Sequence, residues 1–209
     1  MAAKISIVLL LFVMVFSRAA AQPPAGDAKA RAALEAVLAK VTGTQSGKRM
    51  AVAGEDLTRV FPKQHLFAVR FRTYPVKPPD SFKASNLFAV AADGTVTRLV
   101  NEKALKEYFH AFALAANSDA DAKAVLRAWL RLAEELHQDG YFGFELVPDS
   151  VDVRACNGVR VASGRVRVID GGEGQIRSTL SFDGQGKLTD ASTEATLKAG
   201  GARPLSGRP

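Results

Sequence analysis

Arginines at alternating positions of two strand-like segments are the residues of this sequence best suited to binding chemistry. Arg70 and Arg72 lie in HLFAVRFRTYPV, and Arg165 and Arg167 lie in VRVASGRVRVID. Alternation places each pair on one face of its strand, where guanidinium groups can form forked hydrogen bonds to carboxylates or phosphates. We therefore predict a binding surface at these arginines, and a solvated outer sheet face is the alternative explanation. Three more arginines are close in the sequence: Arg154, Arg160 and Arg177.

A group of carboxylates with a histidine is the second candidate site. Glu134, Glu135 and His137 fall near the end of a predicted helix, and Glu145 falls on the strand that follows. A carboxylate within reach of a histidine can transfer protons, so these residues would serve a pocket between the helices and the sheet. A solvated helix end would account for the same residues.

Familiar catalytic and metal-binding motifs are missing. The three histidines, His65, His110 and His137, are far apart and belong to no zinc motif. No serine or cysteine lies in a known nucleophile motif, and the glycine clusters DGGEG and DGQG precede strands, where hairpin turns explain them. We predict no metal, no cofactor and no catalytic residue, and favour a non-catalytic role over an enzyme.

The first 21 residues have the three parts of a secretory signal peptide. Lys4 is followed by a largely apolar run over Ile5–Phe16 and by small residues at Ala19 and Ala21. This run of 12 residues is shorter than the about 20 that a helix needs to cross ~30 Å of hydrocarbon. We expect cleavage near Ala21 and export to the periplasm or the exterior, without stable membrane insertion.

The formal net charge of +7 belongs mostly to the two ends of the chain. Residues 1–21 hold two bases and no acid, and residues 198–209, predicted to be a disordered basic tail, hold three bases and no acid. The body is therefore nearly balanced, whereas nucleic-acid binding needs basic residues gathered on one face. We predict no nucleic-acid partner. Electrostatic binding of an anionic polymer by the tail and strand arginines stays open.

A single cysteine, Cys156, excludes an internal disulfide framework in an exported protein. A small buried apolar residue is the simplest interpretation, since free cysteine is usually buried. Its turn-like neighbours, Ala155 and Asn157-Gly158, leave a reactive thiol open.

Three helices are predicted from capping residues and apolar spacing. They begin at Asp27, Asn101 and Ser118, and the first and third end at Gly43 and Gly140. The residues predicted to face the core are Leu34, Val37, Leu38, Val41, Leu105, Phe109, Phe112, Val125, Trp129, Leu132 and Leu136.

Strand-like segments joined by short turns predict antiparallel pairing. They are HLFAVRFRTYPV, NLFAVAADGTVTRLV, YFGFELV, VDVRA, VRVASGRVRVID, QIRSTLSFD and KLTDASTEATL. The order of helix, strands, two helices and strands favours an α+β fold with antiparallel sheets and three helices packed on one face. Similar hairpins near the end of each half leave open a pair of helix-plus-meander units.

The predicted organisation follows from these elements. A signal peptide over 1–21 and a linker over 22–26 precede a helix-plus-strands unit over 27–100. Residues 101–197 form two helices and a meander, as a separate unit or as one domain with 27–100.

Export and the missing catalytic motifs together favour an exported, non-catalytic module that binds a protein or other cell-envelope component through a sheet face. Two alternatives stay open: a small extracytoplasmic enzyme or ligand carrier with a pocket between helices and sheet, and an electrostatic binder of anionic polymer. The sequence does not indicate the oligomeric state.

Overall fold

The computed structural model describes residues 25–41, 47–71, 78–80, 82–138 and 142–200. It confirms an α+β fold with antiparallel sheets. The helices are α1 Ala25–Val41, α2 Glu55–Val60, α3 Glu102–Phe112 and α4 Asp119–Leu136, with a short 3-10 helix over Pro148–Ser150. The strands are β1 Lys48–Ala51, β2 Gln64–Arg70, β3 Ser85–Ala91, β4 Val96–Leu99, β5 Gly143–Leu146, β6 Asp152–Cys156, β7 Val159–Asp170, β8 Gly172–Phe182 and β9 Leu188–Ala199.

The strands form two sheets, and every pair is antiparallel. The first sheet has the order β1-β2-β3-β4, and the second has the order β5-β7-β8-β9 with β6 also paired to β7. In the part of the chain that the structure describes, no helix is long and apolar enough to cross a membrane.

Helix α4 lies between the two sheets and holds the main core together. One cluster of buried apolar residues contains Leu66 and Leu87 of the first sheet, Trp129 of α4, and Val166 and Ile176 of the second sheet. Residues 27–100 and 101–197 therefore contribute to one core.

The helices do not all cover one face, which corrects the predicted arrangement. Phe67 and Val69 of β2 pack with Leu34 and Leu38 of α1, whereas Ala68 of the same strand belongs to the cluster around α4. Neighbouring residues of a strand point to opposite faces, so α1 and α4 lie on opposite faces of the first sheet. The central strands β2 and β3 are mostly buried on both faces, so the face of β2 that carries Arg70 is not the solvated outer face considered from its alternation.

The caps of α3 and α4 are as predicted. The Asn101 side chain accepts a hydrogen bond from the Ala104 amide at 2.9 Å. Ser118 Oγ accepts from the Asp121 amide at 3.1 Å and donates to the Asp121 carboxylate at 2.6 Å. Each cap satisfies an amide that the first helical turn leaves unpaired.

Hairpin turns account for the Asp-Gly and Asn-Gly pairs. Asn157 and Gly158 both have positive φ, 52° and 78°, as a two-residue turn between twisted strands requires. In the other two hairpins an aspartate carboxylate accepts from the amide two residues later, Asp93 from Thr95 at 2.8 Å and Asp183 from Gln185 at 2.9 Å. The shared turn chemistry explains why these two hairpins look alike in sequence.

Some residues and elements of the structure differ from the sequence predictions. Val37, Val41 and Phe112 are exposed, because α1 and α3 bury narrower stripes that include Ala30 and Tyr108. The short elements β1 and α2 were not predicted. The signal peptide, Gly43, Arg72, Gly140 and residues 201–209 lie outside the described residues, as does the side chain of Cys156.

Candidate functional site

Side chains from strands β7, β8 and β9 share the outer face of the second sheet. Ala162, Val166 and Ile176 point to α4 and are buried, so the residues between them point away from the core. Their pairing forms rows across β7, β8 and β9. One row is Arg167, Gln175 and Thr196, the next is Arg165, Arg177 and Glu194, and the third is Ser163, Thr179 and Ser192.

Arg165 and Arg177 lie directly opposite each other in the middle row. Like charges in this position repel. Arg165 Nη1 donates to the Gln175 side-chain oxygen at 3.4 Å, and Glu194 follows Arg177 in the row. Among the described residues, no carboxylate forms an ion pair with either arginine. The two guanidinium groups therefore have N–H groups that could donate hydrogen bonds to a carboxylate of another molecule.

Arg167, the third arginine of this face, is paired within the chain. Its Nη2 and Nε donate to the same oxygen of Glu145 at 2.8 and 3.2 Å. The side chains of Arg167 and Glu145 are 63% and 52% exposed, so this is a surface pair. It joins one residue of the predicted arginine surface to one residue of the predicted pocket.

Arg70 lies in the other sheet and faces the core. Its Nη2 is 2.8 Å from each carboxylate oxygen of Glu135 on α4. Ser85 Oγ donates to the same carboxylate at 3.2 Å, and Arg131 Nη1 lies 3.6 Å from it. Only 1% of the Glu135 side chain is exposed. The structure therefore separates Arg70 from Arg165 and Arg167 and places it in a buried link between the first sheet and α4.

Glu134 lines a small cleft between α2, α4 and the second sheet. Burial raises the pKa of Glu134 above its ordinary value, although Arg131 contacts its carboxylate at 2.6 Å. Burial also raises the pKa of Asp56, which lies 3.9 Å from Arg127 across the cleft. The cleft measures about 180 Å³, which is below the ~300–1,000 Å³ of typical ligand pockets.

The rest of the predicted pocket does not converge on this cleft. His137 Nε2 lies 3.3 Å from Glu102 Oε1 of α3, and Glu145 is paired to Arg167 on the outer sheet face. His110, on the exposed side of α3, lines only a shallow depression with residues of the same helix. Glu134, Glu135, His137 and Glu145 thus lie in separate environments.

A histidine–aspartate pair that the sequence did not predict lies at a second cleft. His65 Nδ1 of β2 is 2.8 Å from Asp27 Oδ1 in the first turn of α1. The cleft measures about 320 Å³. The two residues are 38 positions apart, and Asp27 was predicted only as a helix cap, so no local spacing indicated the pair.

The described residues contain no group of three or more His, Cys, Asp or Glu side chains that could hold a metal ion. In the described residues, the fold and these sites define an α+β protein in which no helix covers the outer face of the second sheet and a cleft of about 320 Å³ lies at Asp27 and His65. No protein-family model, curated protein or solved structure matches the chain. Its function has to be inferred from the geometry.

Proposed function

We propose that this protein is an exported, non-catalytic module that binds an acidic segment of a protein partner through the outer face of its second sheet. The observation that carries the proposal is the direct opposition of Arg165 and Arg177 at the centre of that face, without a carboxylate partner among the described residues. Export rests on the predicted signal peptide over 1–21.

Charge complementarity determines the chemistry of the partner. Arginine donates forked hydrogen bonds to planar carboxylates, and two guanidinium groups on neighbouring strands lie close enough to share one acidic segment. A carboxylate between them would also relieve their mutual repulsion. Gln175, Thr179 and Glu194 surround the pair with further polar groups, as in the polar surroundings of a non-obligate interface.

The long pairing of the three strands supports binding without a conformational change. Strands β7, β8 and β9 contain 12, 11 and 12 residues and pair along most of their length. A preorganised surface loses little conformational entropy on association.

Fluorescence anisotropy with two labelled peptides tests the proposal. One peptide alternates glutamate and serine, and the other has glutamine in place of glutamate. We expect the glutamate peptide to bind at least about tenfold more tightly, with an affinity that falls as salt screens the charges. The double variant Arg165→Ser/Arg177→Ser should lose this difference.

Arg127→Ser is the matched control, because Arg127 lies on α4, which packs on the inner face of the second sheet, and its guanidinium is 3.9 Å from Asp56. It should leave peptide binding unchanged. Capture from a cell-envelope extract then identifies the partner: the acidic protein retained by wild type and by Arg127→Ser should be missing with the double variant. Equal affinity for the two peptides would contradict the proposal, and retention of an anionic polymer in place of a protein would contradict the choice of partner.

A further inference from the structure

We propose that the cleft at Asp27 and His65 binds a small ligand that carries an ammonium group on an apolar body. The site is distinct from the outer face of the second sheet, since it lies where the start of α1, α2 and the start of β2 meet. It does not depend on the function proposed for that face.

The size and the lining of the cleft suit a small molecule. Its volume of about 320 Å³ is within the range of ligand pockets, which combine apolar walls with a few polar groups. Val52, Leu57 and Leu66 provide apolar surface, and the polar side chains at the cleft are those of Asp27, Thr58, Gln64 and His65.

Hydrogen bonding within the site leaves acceptors for the ligand. When His65 is neutral, its Nδ1–H donates to Asp27 at 2.8 Å, which leaves Nε2 as an acceptor. Nε2 makes no hydrogen bond to the part of the chain that the structure describes. Thr58 Oγ1 donates its hydrogen to the Gly54 carbonyl at 3.1 Å, so its lone pairs also remain available. A ligand at this site therefore has to supply hydrogen-bond donors.

The negative charge of the Asp27 carboxylate favours an ammonium group over uncharged hydrogen-bond donors. Among the described residues, Asp27 and His65 are the only ionisable side chains that line the cleft, and with a neutral His65 the Asp27 carboxylate is their one charge. Their side chains are 27% and 32% exposed, and partial removal from water strengthens the attraction between a carboxylate and a cation. A neutral alcohol would gain the hydrogen bonds without this attraction, and a carboxylate would be repelled.

Three probes of the same shape test the inference: benzylamine, benzyl alcohol and benzoate. Each is titrated into the purified, isotope-labelled protein, and binding is followed by NMR chemical-shift changes. We expect benzylamine to bind at least about tenfold more tightly than benzyl alcohol, with the largest shifts at Thr58, Gln64 and His65. Benzoate should show no saturable binding.

Asp27→Asn removes the charge and keeps an oxygen that accepts from His65, so it should lower benzylamine affinity at least about tenfold. Glu102→Gln is the matched control, because it alters the other histidine–carboxylate pair, His137–Glu102, away from the cleft; it should have no effect. The inference is overturned if benzyl alcohol binds as tightly as benzylamine to the wild-type protein, if the shifts occur elsewhere, or if folded Asp27→Asn keeps full affinity.

Discussion

The buried contact between Arg70 and Glu135 makes a quantitative prediction about stability. Arg70 is 30% exposed at its side chain and reaches α4 from the edge of the core, whereas Glu135 is 1% exposed. Replacing Arg70 by methionine keeps an unbranched apolar side chain and removes the guanidinium group with its charge. The Glu135 carboxylate would then stay buried with the Ser85 hydroxyl at 3.2 Å and Arg131 at 3.6 Å as its remaining partners.

The expected loss follows from this geometry. Removing one partner of a buried ion pair costs about 3–5 kcal/mol, because the other charge is left without compensation. Arg131 retains part of the attraction, so we expect the lower end of the range, about 3 kcal/mol, for Arg70→Met. A loss of this size lowers the melting temperature of a protein of this length by about 6–12 °C.

A double-mutant cycle separates the ion pair from ordinary packing. Glu135→Leu removes the buried carboxylate and leaves Arg70 able to reach water, so it should cost less, about 1–2 kcal/mol. Replacing both residues removes the uncompensated charge, and buried pairs exchanged for apolar residues are often neutral in stability. The double variant should therefore lie within about 1 kcal/mol of wild type, measured by urea unfolding followed by circular dichroism.

Arg167 and Glu145 provide the matched control. They are also an arginine–glutamate pair with a nitrogen–oxygen distance of 2.8 Å, but their side chains are 63% and 52% exposed. Exposed pairs of this kind contribute about 0–1 kcal/mol, so Arg167→Met should change stability little. The reasoning is refuted if Arg70→Met costs less than Arg167→Met, or if the double variant is as unstable as Arg70→Met alone.

Three further substitutions test other parts of the structure. Burial raises the pKa of Glu134, so between about pH 4.5 and the raised pKa the native state binds a proton that the unfolded chain has lost, and stability falls as pH rises through that window. Glu134→Gln removes the ionisable group. Denaturation at several pH values should show that this fall is smaller in the variant. Ser118→Ala should cost about 1 kcal/mol in urea unfolding, because it removes the N-cap of α4; an unchanged midpoint would contradict the role of this cap. Gly186→Ala should cost about 1–3 kcal/mol, since Gly186 has φ of 74° and an added Cβ would lie 2.8 Å from the backbone of Ala116. Gly184→Ala is the control, because the nearest atom to its added Cβ is 3.7 Å away.

The long elements of the fold were predictable because their signals are local. The alternation of VRVASGRVRVID lies between two turn signals, and β7 covers Val159–Asp170 as predicted. Helix α4 begins directly after the Ser118 cap. This start was predictable because the capping residue and the apolar stripe both indicate it. By contrast β1 and α2 have four and six residues, which are too few to show a periodic pattern of apolar residues.

The placement of α1 was not predictable from alternation. Alternating polarity is typical of a strand that has one face in water. In β2 the residues on both faces are buried from Leu66 to Val69, and Arg70 at its end is polar because it meets Glu135 of α4. Its alternating pattern therefore marks an internal ion pair, although the same pattern is typical of a solvated face.

Pairings between distant residues limited what the sequence could say about the sites. Arg70 and Glu135 are 65 positions apart, and Asp27 and His65 are 38 positions apart. Each residue alone has an ordinary explanation as a surface charge or a helix cap. Only the packing of α1 and α4 on opposite faces of the first sheet brings the partners together.

Among the described residues, the layered arrangement leaves the outer face of the second sheet without a covering helix. Helix α1 covers one face of the first sheet, and α4 covers the other face and the inner face of the second sheet. The remaining sheet face carries Arg165 opposite Arg177, a repulsive arrangement that a purely structural surface gains nothing from. If the pair serves binding, Arg165→Ser/Arg177→Ser should bind the acidic peptide less tightly and be as stable as wild type or more stable. A variant that loses stability together with binding would show instead that these arginines support the fold.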